Sequence, residues 1–348
     1  MGELDEQRRA RVVAVHKNRW QLAIESEGSQ VEVSAVLSGR FRHEADGPAG
    51  LPVVGDWVTA VWTGGGNARI LAIEPRTGLL ARKRPGDTAH DAVVEQAIAA
   101  NVDVGLVAMG VDNDFNVHRL ERYLTLVWDC GATPVVVLTK SDLATPADLG
   151  DRTADVEAIA FGTRTIVTSA RTGEGVAHLR SALVPGTCAV LLGSSGVGKS
   201  SLLNALAGAD LQDVTAVRQF DGKGRHTTTS RRLVELPWGA YLVDTPGLRE
   251  LQLWGDAESL TASFSDVEDL AAECRFTDCV HDAEPGCAVR AAVAEGSLAP
   301  ARLESWRRLR RELAHVARRR DAGAARAERQ RWKSIAKQRR QHNRERRS

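Results

Sequence analysis

One glycine-rich segment restricts the possible folds of this chain more than any other feature. Residues 193–200 read GSSGVGKS, which matches the pattern G-x-x-x-x-G-K-[ST]; they follow the apolar run 188–192 and precede the helical run SLLNALAG. In such a strand–loop–helix unit the loop N–H groups surround phosphates, the lysine reaches the β- and γ-phosphates, and the serine hydroxyl after it binds Mg²⁺. The segment therefore predicts a nucleotide site with Mg²⁺ on Ser200. Its expected residues are Gly193, Ser194, Ser195, Gly196, Val197, Gly198, Lys199, Ser200 and Ser201.

A second motif belongs on the γ-phosphate side of such a site. Residues 244–247 read DTPG and end a short apolar strand. The carboxylate of Asp244 can hold Mg²⁺ through water, and the Gly247 N–H can contact the γ-phosphate. Between the two motifs, residues 222–229 read GKGRHTTT, a glycine-rich stretch that ends in hydroxyl groups. This stretch is typical of a mobile switch segment, in which we expect Thr228 to complete the Mg²⁺ shell.

The group that orients the attacking water is less obvious from the motifs. Leu248 follows DTPG at the position where many GTPases carry a glutamine. His226 in the switch segment is the candidate catalytic residue, because an imidazole can orient water. A histidine that contacts RNA or solvent would fit the same loop position, so both interpretations stay open.

Guanine recognition is predicted from two strand ends earlier in the chain. Residues 139–142 read TKSD, which resembles the [NT]KxD motif of GTPases, and the Ser-Ala pair at 169–170 resembles the companion loop that contacts the guanine oxygen. The Asp142 carboxylate can accept from two guanine donors, whereas adenine presents no matching pair of donors to it. Asp142 therefore favours GTP over ATP. This preference argues against an ATP-dependent kinase or transporter subunit. Threonine stands where asparagine is usual, a departure that bears on guanine affinity. The expected base-binding residues are Thr139, Lys140, Asp142, Ser169 and Ala170.

The order of these motifs indicates a circular permutation. Ordinary GTPases present the phosphate loop, the switch segment and DxxG before the base motifs, whereas the base motifs come first here. Joining native termini that lie close together leaves the same sheet and the same pocket. Apolar strands that alternate with helical segments predict an α/β P-loop domain with a parallel sheet over residues 77–256, after a connector at 76–91. Its expected strands are 102–109, 134–139, 165–168, 188–192 and 241–243.

The first part of the chain has a different pattern. Five short segments rich in Val, Ile and Trp alternate with turns that contain Gly, Ser and Pro, which predicts an all-β barrel of OB type over residues 1–76. Such barrels often bind RNA or single strands, although a barrel that serves only as a scaffold has the same pattern. The expected strands are 12–16, 20–25, 31–37, 56–62 and 70–74.

Residues 257–348 are predicted to form an α-helical domain around a zinc site. Three of the five cysteines and one histidine have the spacing C-x4-C-x-H-x5-C, which suits one tetrahedral, structural Zn²⁺ in a reducing cytosol. Buried free cysteines with a surface histidine are the alternative. Apolar positions in 303–316 recur at three- and four-residue spacing, which predicts a helix that docks one face. The expected zinc ligands are Cys274, Cys279, His281 and Cys287.

The charge of the chain is unevenly distributed. Its net charge is only +1, yet residues 301–348 contain 18 Lys and Arg against 5 Asp and Glu, a net charge of +13. Arginine clusters, such as those at 307–308 and 318–320, neutralise phosphates, so this tail predicts RNA contact, with Trp306 and Trp332 as stacking candidates. A solvated helix is the alternative. The charged amino terminus and short apolar runs indicate a cytoplasmic protein without a membrane role, and nothing demands more than a monomer.

Together these features resemble one bacterial family, the ribosome small-subunit-dependent GTPases, also called RsgA. The resemblance includes the permuted order, GSSGVGKS, GRHTTT, DTPG and the cysteine–histidine spacing, and it extends to EQAIAANVD at 95–103 and PVVGDW at 52–57. It implies a late factor in small-subunit maturation whose slow GTPase is stimulated by the subunit and whose hydrolysis triggers release. It also implies a zinc-binding carboxyl-terminal domain, an amino-terminal barrel on 16S rRNA, and catalysis by the residue that matches His226.

Two hypotheses therefore remain. The first is a GTP-hydrolysing assembly factor in which the small subunit orders the switch segment. The second is an RNA-binding protein that uses GTP as a structural switch and barely hydrolyses it, an alternative that Leu248 keeps open.

Overall fold

The fold has three parts: an amino-terminal barrel, a central sheet flanked by helices, and a carboxyl-terminal group of helices. The computed structural model describes residues 7–16, 18–26, 29–45, 47–64, 66–83, 95–160, 162–208, 231–244, 260–261, 263–314 and 317–318. Within these ranges, no helix has both the length and the apolar character needed to cross a membrane.

The barrel consists of five strands and one short helix. These are β1 Gln7–His16, β2 Arg19–Ser26, β3 Ser29–Leu37, α1 Gly39–Glu44, β4 Trp57–Gly64 and β5 Asn67–Ile73. β1 pairs antiparallel with both β2 and β4, and a parallel pairing of β3 with β5 completes the closed order β1-β2-β3-β5-β4. Alternate side chains fill the interior, where Val12, Leu22 and Ile70 are fully buried. This confirms the predicted OB-type barrel, whereas the sequence pattern does not predict α1.

A two-stranded hairpin follows the barrel, where the sequence indicates a connector. Its strands are β6 Leu79–Lys83 and β7 Glu95–Ala100. The Ala100 N–H donates to the Val54 carbonyl at 2.9 Å, which holds β7 against the barrel. Arg76 forms a bidentate ion pair with the fully buried Asp56, with both N–O distances at 2.8 Å. Backbone and ionic contacts therefore fix this segment.

The central sheet contains six strands. They are β8 Val104–Gly110, β9 Thr133–Thr139, β10 Arg164–Val167, β11 Cys188–Leu192, β12 Arg232–Glu235 and β13 Tyr241–Asp244. Their order is β10-β9-β8-β11-β13-β12, with β12 antiparallel and the other five parallel. The sheet continues into the barrel through one pair, Ala14 opposite Arg232. The five predicted strands are present; β12 is an addition.

Helices cover both faces of the central sheet. They are α2 Val117–Asp129, α3 Pro146–Ile159, α4 Val176–Ser181 and α5 Lys199–Ala207. Two apolar clusters, one on each face, pack these helices on the sheet and bury Cys188 and Cys130. Local sequence fixes the starts of two of these helices: the Asn116 side chain caps α2, and Thr145 with Asp148 forms a capping box on α3.

The carboxyl-terminal helices surround a separate apolar core. They are α6 Ser265–Ala272, α7 Ala288–Glu295 and α8, the described helical residues 300–314. Leu303, Trp306, Leu309 and Leu313 of α8 are all buried, which confirms the predicted one-sided helix. Residues 319–348, which hold most of the basic tail, lie outside the described ranges.

Candidate nucleotide site and metal centre

The parallel strands of the central sheet end at one edge, and each predicted nucleotide motif follows one of these ends. TKSD begins at the last residue of β9, the Ser-Ala pair follows β10, the phosphate loop follows β11, and Asp244 ends β13. Because the carboxyl ends of neighbouring parallel strands meet, these loops form one crevice. The permutation changes the order along the chain and keeps the arrangement in space.

The phosphate loop has the backbone that its glycines predict. Gly193 has φ 148°, and a Cβ atom there would lie 2.6 Å from the Ala108 carbonyl oxygen, so a larger residue would push the loop away from β8. Gly196 and Gly198 also have positive φ, 80° and 101°, which glycine tolerates best. α5 begins at Lys199, so the loop N–H groups and the positive end of the helix face the same crevice.

Lys199 lies inside the loop. Its Nζ donates to the carbonyl oxygens of Gly193 at 2.8 Å and Ser194 at 2.5 Å. Burial lowers the pKa of Lys199, while the carboxylates of Asp244 and Asp114 act in the opposite direction. The ammonium is therefore positioned where phosphate oxygens would compete with loop carbonyls for its protons.

The predicted base-binding residues come together beside this loop. Asp142 Oδ1 accepts from Ser169 Oγ at 2.5 Å, and Oδ2 pairs with Arg171 Nε at 2.8 Å. The Ser169 hydrogen bond, supported by the Arg171 charge, lowers the pKa of Asp142, so this carboxylate is an ionised acceptor at neutral pH. A cavity of about 350 Å³ connects it with the phosphate loop and is lined by both loops, including Ala170 and Ser201. That volume suits a small ligand.

Two residues of TKSD have partners that the motif alone does not reveal. Thr139 Oγ1 donates to the Val197 carbonyl at 2.6 Å and thereby joins the base loop to the phosphate loop. Lys140, in the left-handed region with φ 63°, pairs with Asp112 at 2.7 Å, and this hydrogen bond lowers the pKa of Asp112. Asp112 follows β8, and sequence reasoning missed it because the loop after β8 carries no recognised motif.

Some predicted residues cannot be compared with the structure. His226, Thr228 and Gly247 lie outside the described residues, so their proximity to the crevice stays a prediction. Ser200 lies in the first turn of α5, and Asp244 ends the strand next to β11, as a Mg²⁺-holding pair at this edge would require.

The predicted zinc ligands form one cluster. The ligand atoms of Cys274, Cys279, His281 and Cys287 all lie within 4.8 Å of one another. Cys274 Sγ is 3.9 Å from Cys287 Sγ, and these sulfurs are 3.6 and 3.5 Å from His281 Nδ1. Tetrahedral Zn²⁺ with bonds of about 2.3 Å to sulfur separates neighbouring sulfurs by about 3.8 Å. The donor set and its spacing therefore fit a closed metal site.

The loop around the metal site is held by its own polar groups. Glu284 accepts from the N–H groups of Val280, Asp282 and Ala283 at 3.0, 2.8 and 3.1 Å. These backbone hydrogen bonds, led by that of Val280, lower the pKa of Glu284 to about 2. The carboxylate therefore stays ionised and fixes the turn that presents His281.

The α8 residues predicted to contact RNA have intramolecular partners instead. Trp306 is 3% exposed and packs against the His281 ring at 5.0 Å, so it is not available to stack on a base, and that prediction was wrong. Arg307 donates to the His281 carbonyl, and Arg308 pairs at 2.7 Å with the buried Glu121 of α2. Arg307 thus holds the loop that carries His281, and Arg308 joins α8 to the central domain.

The fold and the crevice define a circularly permuted P-loop GTPase with an amino-terminal barrel and a carboxyl-terminal metal-binding motif. The model of the RsgA GTPase family matches residues 73–254. A relative named small ribosomal subunit biogenesis GTPase RsgA, from Opitutus terrae, is 47% identical over 336 residues, 94% of this chain and 89% of its own. A relative of the same name from Syntrophotalea carbinolica is 44% identical over 91% of this chain and 88% of its own.

Solved structures agree with this assignment. The crystal structure of YjeQ from Thermotoga maritima has a TM-score of 0.67 and 29% identity and covers 89% of this chain and 99% of its own. The crystal structure of YloQ, described as a circularly permuted GTPase, has a TM-score of 0.66 at 24% identity and supports the fold alone. The chain belongs to the RsgA GTPase family. It is a GTP-hydrolysing enzyme, which the motifs predict.

Proposed function

We propose that this GTPase acts late in the biogenesis of the small (30S) ribosomal subunit, that the subunit stimulates hydrolysis, and that hydrolysis releases the protein. The observation that carries this proposal is the near full-length match to relatives named small ribosomal subunit biogenesis GTPase, since it includes the barrel and the metal cluster as well as the GTPase motifs. We further propose a cytoplasmic monomer whose partners are GTP or GDP, the subunit and its 16S rRNA.

We assign the nucleotide contacts by the chemistry of each loop. Asp142 accepts from the two guanine donors, and the loop at Ser169–Ala170 contacts the guanine oxygen. The phosphate loop, with Lys199, surrounds the phosphates of GTP. Ser200, Thr228 and Asp244 would hold the Mg²⁺, Asp244 through water, and the ion would neutralise phosphate charge. The Cys₃His cluster binds one structural Zn²⁺, which the spacing of its sulfurs supports.

His226 is our proposed catalytic residue. The side chain of Leu248 has no polar atom with which to orient water, so another group must do so. In this proposal the subunit orders the switch segment, and the imidazole then holds the attacking water against the γ-phosphate. Because that order depends on the subunit, the free protein hydrolyses GTP slowly.

Steady-state GTP hydrolysis with and without purified 30S subunits, at low and high salt, tests the proposal. We expect strong stimulation that declines with salt, because basic residues bind RNA phosphates by releasing counterions. His226→Ala should remove the stimulation while GDP affinity is retained. The absence of stimulation at every salt concentration would mean that the subunit is not the partner.

The second candidate function is an RNA-binding protein that uses GTP as a structural switch, and Leu248 is the feature that favours it. In that case His226→Ala would not change turnover, and GTP would strengthen subunit binding without being consumed. Subunit binding measured with GTP, GDP and a non-hydrolysable analogue separates the two functions, because coupling of hydrolysis to release requires weaker binding with GDP.

A further inference from the structure

A carboxylate contacts the phosphate loop, where negative charge opposes the binding of phosphates. Asp114 lies in the loop after β8, and its Oδ2 accepts from the hydroxyl of Ser194, the second residue of the phosphate loop. Ser194 is 9% exposed, so this hydrogen bond fixes a buried part of the loop. The Asp114 charge also acts on Lys199, to which we assign the phosphate contact. A negative group this close would repel the phosphates of a nucleotide if it were not neutralised.

Arg119 supplies the neutralising charge. Its Nη2 lies 2.8 Å from Asp114 Oδ1, and the same nitrogen donates to the Asp114 backbone carbonyl. The backbone of Arg119 is itself held, since its N–H donates to the Asn116 side chain that caps α2. The guanidinium therefore reaches the aspartate from the first turn of a capped helix. Side-chain exposures of 30% for Arg119 and 26% for Asp114 leave the pair partly open to solvent.

We propose that Asp114 and Arg119 are positioning residues of the nucleotide site: Asp114 fixes the phosphate loop through Ser194, and Arg119 cancels the charge that would otherwise weaken phosphate binding. Neither residue belongs to a nucleotide motif, and neither contacts the cavity that we assign to the base. The inference rests on the nucleotide site proposed above and does not depend on a ribosomal partner. This role can be distinguished from a packing role. Loss of the Arg119 charge should weaken nucleotide binding only while Asp114 carries its negative charge.

The test uses the full-length protein with a fluorescent GDP analogue at low salt. Arg119→Gln should weaken GDP binding about tenfold, because the uncompensated carboxylate then repels two phosphates. Asp114→Asn should stay within about threefold of the wild type, since the amide oxygen still accepts from Ser194. The double variant with both changes should return to within about threefold of the wild type. The tenfold loss should shrink at high salt, because the pair is partly exposed.

Two further variants keep the test decisive. Arg119→Lys keeps the charge and should bind GDP within about threefold of the wild type, which separates charge from packing even if the glutamine variant is less stable. Arg122→Gln, on the same helix, removes a charge that pairs with Glu312 of α8 at 2.8 Å and should leave GDP affinity unchanged.

The outcomes separate this inference from the site on which it rests. If the wild-type protein fails to bind GDP, the proposed nucleotide site is wrong. If the wild type binds GDP and the double variant is as weak as Arg119→Gln or weaker, charge compensation is refuted. Wild-type affinity in Arg119→Gln would refute it equally.

Discussion

Thr139 offers the most direct test of how the two halves of the nucleotide site are joined. Its side chain is 5% exposed, and its hydroxyl donates to the Val197 carbonyl at 2.6 Å. Thr139→Val keeps the shape and removes the donor, so a buried carbonyl in the phosphate loop loses its partner. Such a loss costs about 1–3 kcal/mol, which corresponds to about 5- to 150-fold in an equilibrium constant. We expect this cost chiefly as weaker GDP binding, because a phosphate loop without the Thr139 hydrogen bond must become ordered when GDP binds.

The assay is equilibrium titration of a fluorescent GDP analogue, with thermal unfolding of the free protein measured in parallel. Thr139→Ser is the matched control, because it keeps the hydroxyl and should retain most of the affinity. Thr139→Asn tests whether the usual residue of the motif improves guanine binding in this loop. Wild-type affinity in the valine variant would refute the claim that this hydrogen bond joins the two loops.

The remaining predictions concern the base, the domain contact and the metal loop. Asp142→Ala should weaken GTP binding about 100-fold or more and leave ATP binding unchanged, because the two guanine donors lose the carboxylate that accepts from them; competition titrations with both nucleotides measure this. Arg308→Leu should lower the free energy of unfolding by about 1–3 kcal/mol, since Glu121, with its side chain 1% exposed, keeps a buried charge without its guanidinium, and Glu121→Leu added to it should restore part of the loss in urea unfolding. The folded-state pKa of Glu284, about 2, lies below its ordinary 4.5, so its stabilising effect is present above about pH 4.5 and lost as pH falls towards 2. The stability advantage of the wild type over Glu284→Gln should therefore shrink between pH 5 and pH 2 when thermal unfolding is followed, and an advantage independent of pH would contradict this reading of the loop.

The strands that carry the nucleotide motifs could be predicted because their sequences alone are strongly apolar. β11, Cys188–Leu192, has the predicted bounds, and it is buried on both faces as a central parallel strand must be. β7 was missed for the opposite reason. Its sequence, EQAIAA, has little intrinsic strand preference, and it becomes a strand through pairing with β6 and the Val54 bridge.

Site residues that belong to a known motif could be predicted from the sequence. Site residues whose role depends on a partner distant in the sequence were missed. Asp142 and Ser169 were predicted from their motifs, and they lie in hydrogen-bond contact. Asp112, Asp114 and Arg119 follow no motif, and their roles depend on β8 lying next to β9 and β11 in the sheet. Such contacts join residues far apart in sequence, so they require the topology before they can be inferred.

The basic carboxyl-terminal segment shows why a charge run is ambiguous until its partners are known. Within α8, Arg302 is 3% exposed and pairs with Asp266, while Arg307 and Arg308 pair with Asp282 and Glu121. These three arginines form ion pairs within the fold, so their charges attract RNA phosphates less strongly than unpaired arginines would. Residues 319–348 contain 12 of the 18 basic residues against 3 acidic ones, a net charge of +9. The salt dependence of subunit binding should therefore follow this terminal segment more closely than the helix before it.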